Sequence, residues 1–253
     1  MEEIGKIIKP HGMSSEKASR VKKRGHKKEY LFAELIGGKI VKGTNKMDVY
    51  GKDGKGYSIK GGSEIKGKSG RDGRWQLFMF AKKKFLEEID FPAKDIFIEV
   101  LNSFPQTREE YDKNPWIYKE KVKIPISKLK DYLSNKENMR SFFSKAIFNF
   151  KLDCLVIYHD DVFLIFDREK VLDIFNKDLQ VDTNSTLQKV VFKYDNKIAI
   201  EIEVRKSKGK FPSILLITNK MKILKILLNN IKDFEEKKRN IYAYGKTKYA
   251  LSF

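Results

Sequence analysis

The sequence predicts an α/β (α+β) fold in two lobes, the second a smaller C-terminal α/β lobe. Three observations predict it. Short β-type runs bounded by turn dipeptides alternate with stretches of helical periodicity along the 253 residues. Hydrophobic residues make up 41% of the chain and aromatic residues 12%, which supplies a core and excludes wholesale disorder. The texture then changes at a polar connector, residues 176–187, beyond which strands and one strongly periodic helix dominate. The connector divides the chain into 1–175 and 176–253.

Each element has a local reason. Residues 1–23 are polar and basic, with a short helix expected at Glu16–Lys23. Arg24–Ile36 reads as an amphipathic helix with Tyr30, Leu31, Ala33 and Leu35 as its apolar stripe and Gly37-Gly38 as its stop. Lys39–Lys42, Met47–Gly51 and Gly56–Lys60 read as strands, the last two joined across Asp53-Gly54. Residues 61–74 form a glycine-rich basic loop that is too polar to pack. Trp75–Glu88 reads as a helix, Asp95–Leu101 as a buried strand, and 102–121 as irregular around Pro105 and Pro115. Helices follow at Ile126–Ser134 and Lys136–Phe148, then a hairpin of Cys154–Tyr158 and Asp161–Phe166 and a short helix at Glu169–Phe175. Lys189–Tyr194 and Lys197–Arg205 pair across Asp195-Asn196, and a basic loop at 206–210 leads to an apolar strand, Phe211–Thr218. Lys220–Glu236 repeats Ile223, Leu224, Ile226, Leu227 and Ile231 at helical spacing, and Tyr242–Phe253 supplies a final strand.

Charge narrows the partners. Lys plus Arg number 53 against 34 Asp plus Glu, a formal charge of +19, and the pI is near 9.7. Such an excess favours a polyanion: DNA, RNA or an anionic surface. Only nine of the basic residues are Arg, a lysine bias that AT-rich coding also produces. No apolar run approaches the ~20 residues of a membrane helix. The first residues, MEEIGKIIKPHG, lack the apolar core of a signal peptide, so no membrane partner and a cytoplasmic location are expected. The single cysteine, Cys154, excludes an intrachain disulfide framework and a multi-cysteine zinc site, leaving oxygen ligands for any metal.

Chemistry concentrates early in the chain. Glu29 lies on the first amphipathic helix, Asp48 in the second strand, and Ser58 and Lys60 near the end of the third. A hairpin between Asp48 and Lys60 can set the two strands side by side. Asp48 and a helix carboxylate could then share a divalent cation, since Mg²⁺ takes a few carboxylates and keeps water and phosphate oxygens for the rest of its shell. Lys60 could orient or help deprotonate a water, or offset phosphate charge. Asp is disfavoured inside strands, which makes Asp48 a purposeful residue. Glu34 and Glu64 are rival sources of the second carboxylate, and Gln76, expected one residue into the next helix, could line the site.

This order of residues resembles the PD-(D/E)XK nuclease superfamily. Gly25-His26-Lys27-Lys28-Glu29 is similar to its Gly-x-x-x-Glu helix, Asp48 to its hairpin aspartate, and Ser58-Ile59-Lys60 to its (Glu/Asp)-x-Lys strand with Ser at the first position. The resemblance covers roughly residues 24–101. It implies a mixed central sheet flanked by helices, the PD-(D/E)XK nuclease core with a C-terminal α/β recognition lobe, Glu29 and Asp48 as Mg²⁺ ligands, and Lys60 with Ser58 and Gln76 in the catalytic set. It also implies a homodimer acting on double-stranded DNA, a type II restriction endonuclease above all. A junction-resolving or repair nuclease of the same superfamily and a non-catalytic nucleic-acid-binding protein are the alternatives. DNA contacts are expected from Lys66, Lys68, Arg71 and Arg74 in the glycine-rich loop and from Arg205, Lys206, Ser207, Lys208 and Lys210 in the second basic loop. Gly62-x4-Gly67-Lys68-Ser69 fits the letters of a P-loop, but no helix is expected to start after it. His11, His26 and His159 are too scattered for a histidine metal site, and His159 reads as a turn residue.

Overall fold

The computed structural model describes residues 27–41, 47–61, 74–81, 90–149, 151–205, 211–238 and 241–244. Among these the strands form two sheets. The chain enters through helix α1, residues 27–36, which Gly37 ends by adopting φ +61°, a left-handed conformation that costs glycine nothing. Three strands follow as an antiparallel meander: β1 (Lys39–Ile40), β2 (Val49–Tyr50) and β3 (Gly56–Lys60). A tight turn joins β2 to β3. Gly51 N–H donates to Lys55 O, Lys55 N–H to Asp53 Oδ1, and the Tyr57 hydroxyl to Asp53 Oδ2 at 2.7 Å, while Gly54 takes φ +77°.

Strand β4 (Arg74–Ala81) leaves this sheet. Among the described residues five helices follow: α2 (Lys94–Asn102), α3 (Arg108–Lys113), α4 (Pro115–Lys121), α5 (Lys123–Ser134) and α6 (Lys136–Phe148). The chain then returns as β5 (Cys154–His159), which runs parallel to β3 and antiparallel to β6 (Val162–Asp167). Helix α7 (Arg168–Asp178) leads to β7 (Gln180–Thr183), β8 (Val190–Tyr194), β9 (Lys197–Arg205) and β10 (Ser213–Asn219). Helix α8 (Lys220–Asn230) precedes β11 (Phe234–Lys238) and β12 (Ile241–Tyr244). The first sheet is mixed, in the order β1-β2-β3-β5-β6-β12-β11; the second is β4-β10-β9-β8-β7 and antiparallel. Both sheets therefore draw strands from each side of residue 176. No described helix is long and apolar enough to cross a membrane.

The first sheet buries both faces. Helix α1 covers one, where Phe32, fully buried, meets Tyr57 edge-on at 5.4 Å and Phe163 at 5.1 Å between ring centroids. Burying such a side chain is worth roughly 1.5–3 kcal/mol. The other face, through Leu155, Ile157, Leu164 and Phe166, joins the main core with the helices and the second sheet. Strands β3 and β5 are thus covered on both sides and pair in parallel, which explains the continuous apolar run of β5.

Several expectations fail for stated reasons. Trp75–Glu88 is not a helix over its described part: Arg74–Ala81 is β4, paired along its length with β10. Asp95–Leu101 is helix α2, because its buried residues Phe97, Val100 and Leu101 follow the i, i+3, i+4 spacing of one helix face. The segment 102–121 is helical too. Thr107 caps α3 by accepting Glu110 N–H at 3.2 Å, and Pro115 starts α4 from its first position, where its missing N–H costs nothing. Helix α1 buries Phe32, Ala33 and Ile36, while Tyr30 and Leu31 face outward; the expected stripe mixed two faces. The polar connector contains β7, and the helix expected over Lys220–Glu236 stops at Asn230 before β11. Helix α7 is longer than the expected Glu169–Phe175, because Asp167 caps it by accepting the N–H groups of Glu169 and Lys170.

Candidate functional site

The site lies at the carboxyl end of β3. The tight turn at 51–55 sets the register of the hairpin, so the residue entering β2 arrives beside the last residues of β3. Asp48 N–H donates to Tyr57 O at 2.9 Å, and Val41 N–H donates to Asp48 O at 3.0 Å. The side chain is held as firmly. Its Oδ2 accepts Ile59 N–H at 2.7 Å and Ser58 Oγ–H at 3.3 Å, and Lys60 Nζ lies 3.7 Å away. Ser58 is buried, at 1% exposure, although it is polar, and its bond to Asp48 satisfies it.

All these contacts converge on Oδ2. Among the described residues they leave Oδ1 as the oxygen through which Asp48 can meet a cation. Burial pushes the Asp48 carboxyl up from its ordinary value; Lys60, the Ile59 N–H and Ser58 pull it down, and the charge of Glu29 adds to the rise. Glu29 therefore stands close enough to Asp48 for the two carboxylates to repel. It is half-buried on α1, whereas Glu34, one turn and more along, is exposed. Of the two described rivals for the second carboxylate, Glu29 is the one coupled to Asp48. Two coupled carboxylates and a hydroxyl are hard oxygen donors of the kind Mg²⁺ takes, and the donor set fits that ion. Among the described residues no group of three or more His, Cys, Asp and Glu is assembled.

Lys60 closes the group. Its side chain and that of Asp48 keep 28% and 20% of their exposure, so the pair is open to solvent on one side. Ser58 and Lys60 share one face of β3, the face opposite α1, while Tyr57 and Ile59 pack under the helix.

Other sequence candidates sit elsewhere. Gln76 is exposed on β4, opposite Ile217 in the second sheet, and has no helix to project from. Arg74 begins β4 opposite Asn219, and Arg205 ends β9 opposite Ser213. Glu64, Lys66, Lys68, Arg71, Lys206, Ser207, Lys208 and Lys210 lie outside the described residues, as do His11 and His26.

The structure also adds residues at this strand end. His159 closes β5 on the same face as Ser58 and Lys60, by the register that pairs Lys60 with Ile157. Its Nδ1 is buried with no hydrogen-bond partner among the described residues, while Nε2 lies 3.2 Å from Asp160 Oδ2. Lys28, next to Glu29, crosses the other face over Tyr158. Neither was legible as a site residue, because both depend on the parallel pairing of β3 with a strand far along the chain.

No protein-family model, curated protein or solved structure matches this chain.

Proposed function

We propose that this chain is an Mg²⁺-dependent endodeoxyribonuclease of the PD-(D/E)XK type that cuts double-stranded DNA, most specifically a type II restriction endonuclease. The observation that carries the reading is the Asp48 carboxylate pinned against Ser58-Ile59-Lys60 with the charge of Glu29 beside it. Helix α1 before the β2–β3 hairpin supports the reading, since these residues stand in the order the resemblance requires, although strand β4 stands where the resemblance expected the next core helix. The charge of +19 suits a phosphodiester substrate.

In this reading Asp48 and Glu29 would hold the cation. A bound divalent ion supplies Lewis-acid polarisation of the phosphodiester and a more acidic water. Ile59 N–H and Ser58 keep the Asp48 carboxylate in one orientation, so little reorganisation is needed when the ion binds. Lys60 offsets the charge that builds on the phosphoryl oxygens and orients the attacking water. Arg74 and Arg205, with the basic residues of segments 66–71 and 206–210, supply phosphate and base contacts, and a homodimer presents two such sites to the two strands.

The test is incubation of purified protein with a long bacteriophage DNA in Mg²⁺ or in EDTA. Discrete metal-dependent fragments are expected. A metal-dependent smear would favour the junction-resolving or repair enzyme instead. Ser58 in place of a carboxylate favours one second reading, a binding protein that does not cut; DNA retarded on a gel yet intact in Mg²⁺, with several unmethylated DNAs tried, would establish it.

A further inference from the structure

The β8–β9 hairpin and helix α8 line two adjoining clefts that the nuclease reading does not use. The hairpin outruns its neighbour: β10 pairs with β9 only as far as Thr218 opposite Ile200, so residues 194–199 project past the sheet. The β8–β9 register shifts between Phe192 and Lys193, which leaves Ala199 as a bulge and bends the projection. Helix α8 follows β10 directly and presents Lys222, Lys225, Ile226 and Asn229 at the i, i+3, i+4 and i+7 spacing of one face. Lys222 Nζ donates to Ile198 O at 2.5 Å and Asn229 Nδ2 to the Tyr194 hydroxyl at 3.4 Å, which ties the helix to the hairpin.

The first cleft, of about 310 Å³, is lined by the buried Ala199 and Ile226 with Ile198 beside them, and by Lys197, Lys222 and Lys225. Lys197 and Lys225 are exposed, and among the described residues neither is paired with a carboxylate. The second cleft, of about 450 Å³, shares Tyr194 and Asp195 with the first and adds Asp178, Gln180, Asn196 and Asn230. Both volumes suit a small molecule. Asp178 is the last residue of α7, where a carboxylate opposes the helix dipole, so its place there serves something other than the helix.

Each half selects its occupant. Apolar side chains among ammonium groups take a body that is apolar on its faces and anionic at one end. Amides beside carboxylates offer donors and acceptors in the pairs that recognise a base edge. Tyr194, common to both clefts, is a residue type on which bases stack. An acyl carboxylate would use the first cleft alone and a sugar the second alone, whereas a nucleotide uses both.

We infer that the two clefts form one site for a nucleotide unit, with its phosphate at Lys197 and Lys225, its base against Tyr194 and its base edge toward Asp178 and Gln180. The unit is a free nucleoside monophosphate or an unpaired residue of a strand, and its binding needs neither Asp48 nor a metal. The carboxylates accept from exocyclic amino groups, so cytosine is preferred to uracil.

The experiment is calorimetric titration of the full chain in EDTA with cytidine monophosphate, uridine monophosphate, cytidine and inorganic phosphate at one ionic strength. EDTA silences metal-dependent cutting, so the nuclease reading stands or falls separately. Cytidine monophosphate is expected to saturate a single site, roughly tenfold or more tighter than cytidine or phosphate and several-fold tighter than uridine monophosphate. Lys225→Gln is expected to weaken it roughly tenfold while leaving cytidine unchanged, and Lys225→Arg to restore it. Lys151→Gln makes the same charge change at an exposed position between α6 and β5 and is expected to alter neither ligand. Asp178→Asn is expected to erase the preference for cytosine, with the thermal midpoint of the free protein unchanged or raised. The site is overturned if cytidine monophosphate binds no tighter than phosphate, if it binds no tighter than uridine monophosphate, if the Lys225 and Lys151 variants lose affinity alike, or if octanoate binds more tightly and displaces it. A short oligodeoxycytidylate that binds tighter than the monophosphate, with a steeper salt dependence, assigns the occupant to a strand; equal or weaker binding assigns it to the free nucleotide.

Discussion

Replacing Asp48 separates the work of its charge from the work of its shape. Asp48→Asn keeps an oxygen acceptor for Ile59 N–H and for Ser58 Oγ–H, and removes only the charge. That charge is held at a cost: burial raises the Asp48 carboxyl above its ordinary 3.8. The sign follows. With the folded value above the unfolded one, the folded state binds the extra proton, so stability is greater in acid and is lost as pH climbs through the raised value. Asp48→Asn is freed from that loss. It also forgoes the Lys60 pair, which at 3.7 Å and partly exposed is worth about 0–1 kcal/mol. The expected outcome at neutral pH is a stability within about 1 kcal/mol of wild type, equal or higher, with any advantage shrinking in acid. Asp48→Ala differs. It leaves Ile59 N–H without its acceptor in a strand covered on both sides, and should cost about 1–3 kcal/mol. In the nuclease reading both variants lose a metal ligand. A few kcal/mol of transition-state stabilisation, at about 1.4 kcal/mol per tenfold, gives a fall in cleavage of roughly a thousandfold or more. Urea unfolding across pH and metal-dependent cleavage read the two effects. An Asn variant less stable than the Ala variant, or one that cuts at the wild-type rate, would refute the reasoning.

Three further outcomes can be checked with simple variants or reagents. Ser58→Ala removes one of the bonds that lower the Asp48 carboxyl, so the acid limb of cleavage should move to higher pH, with a stability loss of about 0.5–1.5 kcal/mol; an unmoved limb would detach Ser58 from the site. The Cys154 thiol is fully buried and pushed far up by that burial, so a thiol reagent should label the unfolded chain and leave the native protein unlabelled at neutral pH. Gly54→Ala meets only the Tyr50 hydroxyl, at an ordinary contact distance of 3.8 Å, but must hold φ +77°, and should cost about 1 kcal/mol in thermal unfolding without a steric penalty on top; a neutral effect would mean that the turn does not pin the hairpin.

What could be read from the sequence follows the range of the interaction that decides it. The β2–β3 hairpin was legible to the residue at Gly56–Lys60, because Asp53-Gly54 fixes it within a few positions. The β8–β9 turn was legible for the same reason: Asp195 and Asn196 both take the positive φ that their residue types tolerate. Helices α5 and α6 were found by their apolar period, and Asn135 caps α6 through Glu137 and Asn138 N–H. Short apolar runs without such punctuation failed. Arg74–Ala81 carries apolar residues at nearly every position, a pattern that fits a buried strand or a helix equally, and only its partner β10, far along the chain, decides. The candidate site divides along the same line. Asp48, Ser58 and Lys60 stand on one local hairpin and could be paired from spacing alone; Glu29 joins them from the helix just before.

The charges around them could not be paired in that way, and the reason bears on how the protein would work. Lys28 lies over the Tyr158 ring, which comes to it through the parallel pairing of β3 with β5. A parallel pair requires a long crossover, and here the crossover includes the strand that begins the second sheet. The two sheets are therefore linked by the chain that leaves the end of β3. Weakening the β4–β10 pairing should then leave the β2–β3 hairpin in place, because the hairpin is closed by its own turn.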